Sequence, residues 1–254
     1  MGSPLVHGRC RGRVIPSEPM RWTALLGSAM LGSVACMMYA VRGKSSQVFG
    51  PSVYRGDRRR PAIALTFDDG PSESTPQLLR ALETSATRAT FFQCGANIRR
   101  LPEVARAVRD AGHEIGNHSD THPYFSFQSP AFICHEFQRA QNTIENMLHV
   151  TPTYCRAPYG IRWPGFRAMQ RELGLTGAMW SVVGRDWRLP AEQIVRRVMA
   201  HAENGAIICL HDGRALQARP DISATVAAVE ALVPALLTRG FRLETLTEML
   251  CPTH

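Results

Sequence analysis

The sequence predicts an α/β protein with a parallel sheet, and three observations support this prediction. Beyond Pro61, short apolar runs alternate with longer segments of helical periodicity, as they do in repeated βα units. Polar, reactive residues follow at least five of the apolar runs, which is where an α/β barrel or an open α/β sheet places its site. The length of 254 residues also suits a single α/β barrel.

The predicted elements follow one another from residue 62 to residue 244. Strands are predicted at residues 62–67, 89–93, 114–117, 153–156, 177–183, 206–210 and 241–244. Helices are predicted at residues 75–84, 101–111, 130–148, 164–173, 191–203 and 222–239. Glycines stand where these helices are expected to end in a left-handed residue, at Gly112, Gly174, Gly205 and Gly240.

The region before this body divides into three segments. Residues 1–22 form a basic leader, residues 23–41 contain no charged residue, and residues 42–60 are rich in Ser, Gly and Arg without periodicity. The uncharged segment has the length of one membrane span, and three interpretations stay open: a signal-anchor helix, a cleaved signal peptide or a buried soluble helix. Met20 is an alternative start of translation. Residues 42–60 are expected to be an exposed linker to a domain at 61–254.

Composition and charge exclude other classes of protein. Residues 1–60 hold ten Lys or Arg and two acidic residues, which account for the net charge of +8, whereas residues 61–254 hold 19 Arg and 19 acidic residues. A neutral body argues against nucleic-acid binding, which depends on a basic surface. The run 58–60 of three arginines is expected to be a solvated or membrane-proximal patch. The seven cysteines are scattered and form no C-x-x-C pair, so neither a disulfide framework nor a zinc ribbon is indicated.

Two strand ends carry groups that suit a metal. Asp68 and Asp69 follow the first apolar strand, and adjacent carboxylates there can divide metal binding and proton transfer between them; an Asx-turn or N-cap pair is the simpler alternative. His118 and His122 are spaced i, i+4, which places both imidazoles on one face of a helical or turn-like segment. Together with Asp69 they form a two-His, one-carboxylate set with open positions, as in catalytic metal sites.

Five segments of the body resemble, in order and approximate spacing, the motifs of the polysaccharide deacetylase family, also known as the NodB-homology family or carbohydrate esterase family 4. The segments are TFDDG at 66–70, HSDTH at 118–122, RAPYG at 156–160, DW at 186–187 and LHD at 210–212. The resemblance covers residues 61 to about 251. It implies a distorted (β/α)7 barrel, here preceded by the N-terminal apolar helix, and hydrolysis of N-acetyl or, less often, O-acetyl groups on sugar polymers.

The same resemblance implies a role for each residue that matches a motif. Asp69, His118 and His122 would hold a divalent metal, usually zinc, with cobalt or others possible. Asp68 would be the general base, with Arg156 as its partner, and the backbone N–H of Tyr159 would help to form the oxyanion hole. His211 would be the general acid, with Asp186 raising its pKa. Trp187 and Leu210 would form an apolar pocket for the acetyl methyl group.

The sequence therefore predicts a metal-dependent N-deacetylase that acts on a polymer of N-acetylglucosamine, such as peptidoglycan or chitin. An O-deacetylase of acetylxylan type and a non-catalytic carbohydrate-binding relative remain the alternatives. Because such polymers lie outside the cytoplasm, we expect a monomeric protein of the cell envelope, anchored by residues 23–41, or a secreted one. No nucleic-acid partner is expected.

Overall fold

The computed structural model describes residues 19–251, with side chains described from residue 30 onward. The described part of the chain divides into two units between Met38 and Tyr39. Helix α1 spans Pro19–Arg42, which agrees with the helix predicted at 23–41. Most of the predicted basic leader, residues 1–18, lies outside the described residues.

Helix α1 is long but only moderately apolar. Within the described part of the chain, no helix combines the length and the apolarity that a membrane crossing requires. Small and polar residues such as Gly32 and Ser33 lower the hydropathy of the segment. The prediction of a membrane span at 23–41 therefore finds no support in the structure.

The second unit alternates strands and helices along most of its length. Between residues 39 and 251 its strands are β1 (Ser52–Val53), β2 (Ala62–Gly70), β3 (Thr90–Gln93), β4 (Glu114–Asn117), β5 (Tyr154–Cys155), β6 (Thr176–Ala178), β7 (Val182–Val183), β8 (Ile207–His211) and β9 (Arg242–Leu243). Its helices are α2 (Thr75–Glu83), α3 (Gly95–Arg100), α4 (Pro102–Asp110), α5 (Pro130–Leu148), α6 (Phe166–Leu173), α7 (Ala191–His201), α8 (Ser223–Thr238) and α9 (Leu246–Leu250).

All strands pair in parallel in the order β1-β6-β5-β4-β3-β2-β8-β7, and β9 adds to the start of β2. Strand β2 is central and buried along its whole length, which explains its nearly continuous apolar sequence. Strands β6 and β7 lie near opposite ends of this order, yet only residues 179–181 connect them. Ala178 and Val182 are therefore within about 14 Å of each other. The sheet must curl through most of a barrel, which confirms the predicted distorted (β/α)7 fold.

The two faces of the curled sheet have different partners. Along β2, Ile63, Leu65 and Phe67 face the large apolar cluster that the outer helices cover. Ala62 and Ala64 alternate with them and belong to a smaller cluster with Leu246 and Met249 of α9. Helix α9 thus packs against the inner face near the beginning of β2, and the inner face at the end of β2 is left for polar residues.

The prediction of an exposed linker at residues 42–60 is wrong for part of that segment. Strand β1 lies within it and pairs with β6. Ser46 is buried, and its carbonyl accepts a hydrogen bond of 2.7 Å from the fully buried side chain of Arg162. Hydrogen bonds to the body and the apolar contacts of Phe49 and Val53 together hold the segment in place.

The arginine run at 58–60 is also only partly solvated, because Nη2 of Arg60 lies 3.0 Å from both carboxylate oxygens of Glu244. Other differences from the prediction concern short elements. The predicted strand 177–183 is divided into β6 and β7, while β1, α3 and α9 were not predicted; α3 and α9 have six and five residues, too few to show helical periodicity.

Candidate active site

The end of strand β2 presents two carboxylates to one cavity. Regular alternation would place Asp68 on the inner face and Asp69 on the outer face. A β-bulge prevents this, because Asp68 pairs with Phe92 and Gly70 with Gln93, which leaves Asp69 as the extra residue. Asp69 has φ of 75°, and its carboxylate turns into the same cavity as that of Asp68.

Asp69 contacts both histidines that the sequence predicts as metal ligands. Its Oδ1 lies 3.2 Å from Nε2 of His118 and 3.0 Å from Nε2 of His122. All three side chains are buried, and their ligand atoms lie within 4.8 Å of one another. Two imidazole nitrogens and one carboxylate oxygen suit zinc or a similar divalent ion and leave further positions open to water or substrate. The donor set therefore fits the metal that the sequence predicts.

The two histidines do not lie on a helix; they flank a loop with left-handed residues at Ser119 and His122. Three interactions fix this loop. The fully buried Asp120 pairs with Arg99 at 2.7 Å and with Arg139 at 3.1 Å. Glu136 accepts hydrogen bonds from the backbone N–H and the hydroxyl of Thr121. These anchoring residues come from α3 and α5 and were not singled out by the sequence.

Outer partners orient the candidate ligands. Nδ1 of His118 lies 2.8 Å from the carbonyl of Arg156, which leaves Nε2 for the site. Oδ2 of Asp69 accepts from the backbone N–H of Ala215. Burial alone would raise the pKa of the Asp69 carboxyl, but hydrogen bonds from the two imidazoles outweigh it and hold that pKa well below its usual value.

Asp68 is held by a fully buried arginine, as predicted. Nη1 of Arg156 lies 2.6 Å from Oδ1 of Asp68 and 2.7 Å from the hydroxyl of Thr66. The other guanidinium nitrogens donate to the carbonyls of Ala178, at the end of β6, and Met179, in the connection from β6 to β7. The guanidinium also lies over the ring of Phe92, 4.1 Å from its centroid. Arg156 therefore fixes the position of the Asp68 carboxylate.

His211 ends strand β8 and is paired with Asp186. Its Nδ1 lies 2.9 Å from Oδ1 of Asp186, whose Oδ2 accepts from the hydroxyl of Thr225 and the backbone N–H of His211. Burial alone would lower the pKa of His211, but the charge of Asp186 and its hydrogen bond raise it to about 9. The imidazole is therefore protonated at neutral pH and can donate a proton to a leaving group.

These groups surround a cavity of about 280 Å3. Seven predicted site residues line it: Asp68, Asp69, His118, His122, Tyr159, Trp187 and His211. Arg156 and Asp186 lie behind it as partners of Asp68 and His211. Tyr159 has φ of 57° in the short 3-10 turn Pro158–Gly160, and its ring packs against His122. Trp187 is half-exposed, with its ring 5.1 Å from that of His211.

Leu210 does not reach the cavity, so the prediction that it forms part of an acetyl pocket is wrong. Side chains alternate along β8, and Leu210 faces the outer apolar cluster with Ile208. Cys209 and His211 face inward instead, and the buried thiol of Cys209 lines the cavity. The sequence could have indicated this, because side chains alternate along the predicted strand 206–210 and its continuation, which places Cys209 on the same face as His211. Burial, with the nearby Asp68 charge, raises the pKa of this thiol well above its usual value.

The fold and this site define an α/β protein with a candidate metal site that leaves positions open to water or substrate. A sequence model of the polysaccharide deacetylase family matches residues 55–178. A chitooligosaccharide deacetylase from a Bradyrhizobium species is 36% identical over 222 residues, which cover 84% of this chain and 97% of that relative. A peptidoglycan-N-acetylglucosamine deacetylase from Bacillus cereus is 36% identical over 196 residues, which cover 76% of this chain and 89% of the relative. The chain belongs to the polysaccharide deacetylase family.

A solved structure agrees with this assignment. The crystal structure of a peptidoglycan N-acetylglucosamine deacetylase superposes with a TM-score of 0.75 at 27% identity. The match covers 80% of this chain and 94% of that structure. The resemblance to the family that the sequence motifs indicate is therefore confirmed over most of the second unit.

In the metal-free protein, we expect His211 to titrate near pH 9 rather than at its ordinary value of 6.5. Because the folded pKa is the higher one, the contribution of this group to the free energy of unfolding is complete below pH 6.5 and is lost as the pH rises through about 9. An NMR titration of the imidazole resonances measures this pKa.

The matched variant for this titration is Asp186→Asn, which removes the charge that raises the pKa of His211 and should therefore lower it. The pKa of His113 is lowered to about 4, first by burial, and should be unaffected by the substitution. An unchanged His211 titration in the variant would show that Asp186 is not the cause.

Proposed function

We propose that this protein is a metal-dependent deacetylase that removes N-acetyl groups from a polymer containing N-acetylglucosamine. The observation that carries the proposal is the convergence, in one cavity, of the Asp69, His118 and His122 set with an ion-paired carboxylate and a protonated imidazole. The names of the relatives, which describe deacetylases of chitooligosaccharide and of peptidoglycan, support the same substrate class.

Each residue of the site has a distinct task in this reaction. A divalent ion held by Asp69, His118 and His122 would polarise the acetyl carbonyl and make bound water more acidic. Asp68 accepts a proton from the attacking water, and the ion pair with Arg156 holds Asp68 in place. The backbone N–H of Tyr159 donates to the oxygen that becomes negative when water adds to the carbonyl carbon.

His211 completes the reaction at the leaving nitrogen. An amide nitrogen leaves poorly as an anion, so His211 donates its proton while the carbon–nitrogen bond breaks. The products are acetate and the free amine of the sugar. Asp186 orients the imidazole and stabilises its charged form. Trp187 offers an apolar wall for the acetyl methyl group.

We propose zinc as the resident metal, with cobalt as an active substitute, because two imidazoles and a carboxylate suit both ions. We further propose that the catalytic domain works as a monomer, in the cell envelope or secreted, where N-acetylated polymers lie. The neutral composition of residues 61–254 favours a largely uncharged sugar chain over nucleic acid.

Acetate release from a panel of polymers tests the function directly. The zinc-loaded full-length protein should release acetate faster from chitooligosaccharide or from peptidoglycan than from acetylxylan, although the ester in acetylxylan has a better leaving group and little need for the acid His211. Faster release from acetylxylan would indicate an O-deacetylase. If neither the apo protein nor the zinc-loaded protein releases acetate from any polymer, the result would favour a non-catalytic carbohydrate-binding protein.

We expect His118→Ala to lose bound metal, because the substitution removes one of three protein ligands. Elemental analysis after dialysis measures the metal content. His135→Ala is the matched control, since His135 is exposed on α5 and belongs to no candidate site. Retention of stoichiometric metal by His118→Ala would contradict the ligand assignment.

Asp68→Asn should retain the metal but lower kcat by about 10²–10⁴-fold, the range that general base catalysis commonly contributes. Metal content and acetate release are measured on the same preparation, and thermal unfolding establishes that the variant is folded. Asp110→Asn, at an exposed position on α4, is the control and should keep wild-type turnover. Near-wild-type turnover of Asp68→Asn would exclude Asp68 as the base.

A further inference from the structure

Cys209 lies between the proposed base and the proposed acid, and the reaction does not use it. Its Sγ is 3.5 Å from Oδ2 of Asp68. This sulfur, a carboxylate oxygen of Asp68 and a ring nitrogen of His211 all lie within 4.8 Å of one another. Asp68 and Cys209 are buried, and the side chain of His211 is only 16% exposed. The three side chains line the same cavity and share no residue with the Asp69, His118 and His122 set.

The separations suit one tetrahedral ion. A zinc–sulfur bond of about 2.3 Å and a zinc–oxygen bond of about 2.0 Å at a tetrahedral angle place sulfur and oxygen about 3.5 Å apart. The observed Sγ–Oδ2 separation has this value. Ligand atoms of one zinc ion lie roughly 3.3–3.5 Å apart. The ring nitrogen of His211 lies within 4.8 Å of the other two ligand atoms, so it can join them after a shift of at most about 1.5 Å.

The outer contacts of these ligands leave the required atoms available. Arg156 binds Oδ1 of Asp68, so Oδ2 faces the thiol. Nδ1 of His211 is bound to Asp186, which leaves Nε2 for an ion. A histidine that donates its other nitrogen to a carboxylate is the usual arrangement in protein metal sites. Thr225 in turn fixes Asp186.

We propose that Asp68, Cys209 and His211 form a second site for a soft divalent ion such as zinc or cadmium, weaker than the first and inhibitory when filled. On binding, the ion forms bonds to Sγ, Oδ2 and Nε2, and the protons of the thiol and the imidazole leave to solvent. No oxidation or reduction takes place. The site is weaker because the Arg156 guanidinium lies beside it and because two protons must leave before the ion can bind.

The ion inhibits because its ligands include two residues that the reaction needs. Only this prediction of inhibition rests on the proposed function. An ion bound to Asp68 and His211 removes the base and the acid in one event. Binding of the ion itself requires no deacetylase activity, so the site can be tested separately from the reaction.

Cobalt titration of the full-length protein reports on the two sites by spectroscopy. The first equivalent should give only the visible bands of a site with nitrogen and oxygen ligands, because Asp69, His118 and His122 offer no sulfur. The second equivalent should add the near-ultraviolet charge-transfer band of cobalt bound to thiolate. Absence of a thiolate band in the wild-type protein at excess cobalt overturns the proposal.

Cys209→Ser and Cys209→Ala identify the thiol, and using both guards against the failure of one variant to fold. Each should bind the first equivalent and lose the thiolate band of the second. Cys134→Ser is the matched control, because Cys134 on α5 is partly exposed and lies outside both ligand sets, and it should keep the band. A thiolate band that persists in Cys209→Ser and Cys209→Ala, or that disappears in Cys134→Ser, would assign the sulfur elsewhere.

To measure inhibition, the rate of acetate release by each protein is determined at increasing zinc concentration. Each rate is divided by the rate of the same protein with one equivalent of zinc bound. Loss of an outer partner of a metal ligand commonly weakens metal affinity by about 10–100-fold, so loss of a ligand should raise the inhibitory zinc concentration at least tenfold. Equal inhibition of wild-type and Cys209→Ala proteins would refute inhibition through this site. If the protein shows the cobalt–thiolate band but has no activity on any substrate, the second metal site is supported and the proposed function is contradicted.

Discussion

The ion pair between Arg156 and Asp68 is the interaction on which the rest of the site depends. The guanidinium is fully buried and donates to Asp68, to Thr66, and to the carbonyls of the last residue of β6 and the first residue after it. The backbone carbonyl of the same residue holds the ring of His118. One residue therefore fixes a proposed base, orients a candidate metal ligand and joins the two sides of the curled sheet.

The burial of this pair explains why it needs so many partners. Removing either member of a buried pair leaves an uncompensated charge, at a cost of about 3–5 kcal/mol. All three nitrogens of the Arg156 guanidinium have acceptors, and the aromatic ring of Phe92 covers one face of the guanidinium. These contacts restrict the position of Asp68, as the proposed role of Asp68 as proton acceptor requires.

Backbone geometry decides how the remaining groups reach the cavity. The bulge at Asp69 turns a side chain inward that alternation would have directed into the apolar cluster around Phe67. Along β8, unbroken alternation directs Cys209 and His211 inward and Leu210 outward. The neighbouring strands β2 and β8 thus direct four side chains into the cavity in different ways, β2 through a bulge and β8 through regular alternation.

The sequence by itself determined the order of most strands and helices, the neutral charge of the body and the residues of the five motifs, because apolar periodicity and the residues after each strand are local properties. It did not determine that residues 42–60 contribute a strand, since their contacts come from residues more than 100 positions away. It also could not show that Asp120 anchors the histidine loop through arginines of α3 and α5. Above all, only the tertiary structure decided which face of each strand end meets the cavity, because a one-residue bulge reverses that face without altering the apolar pattern before it.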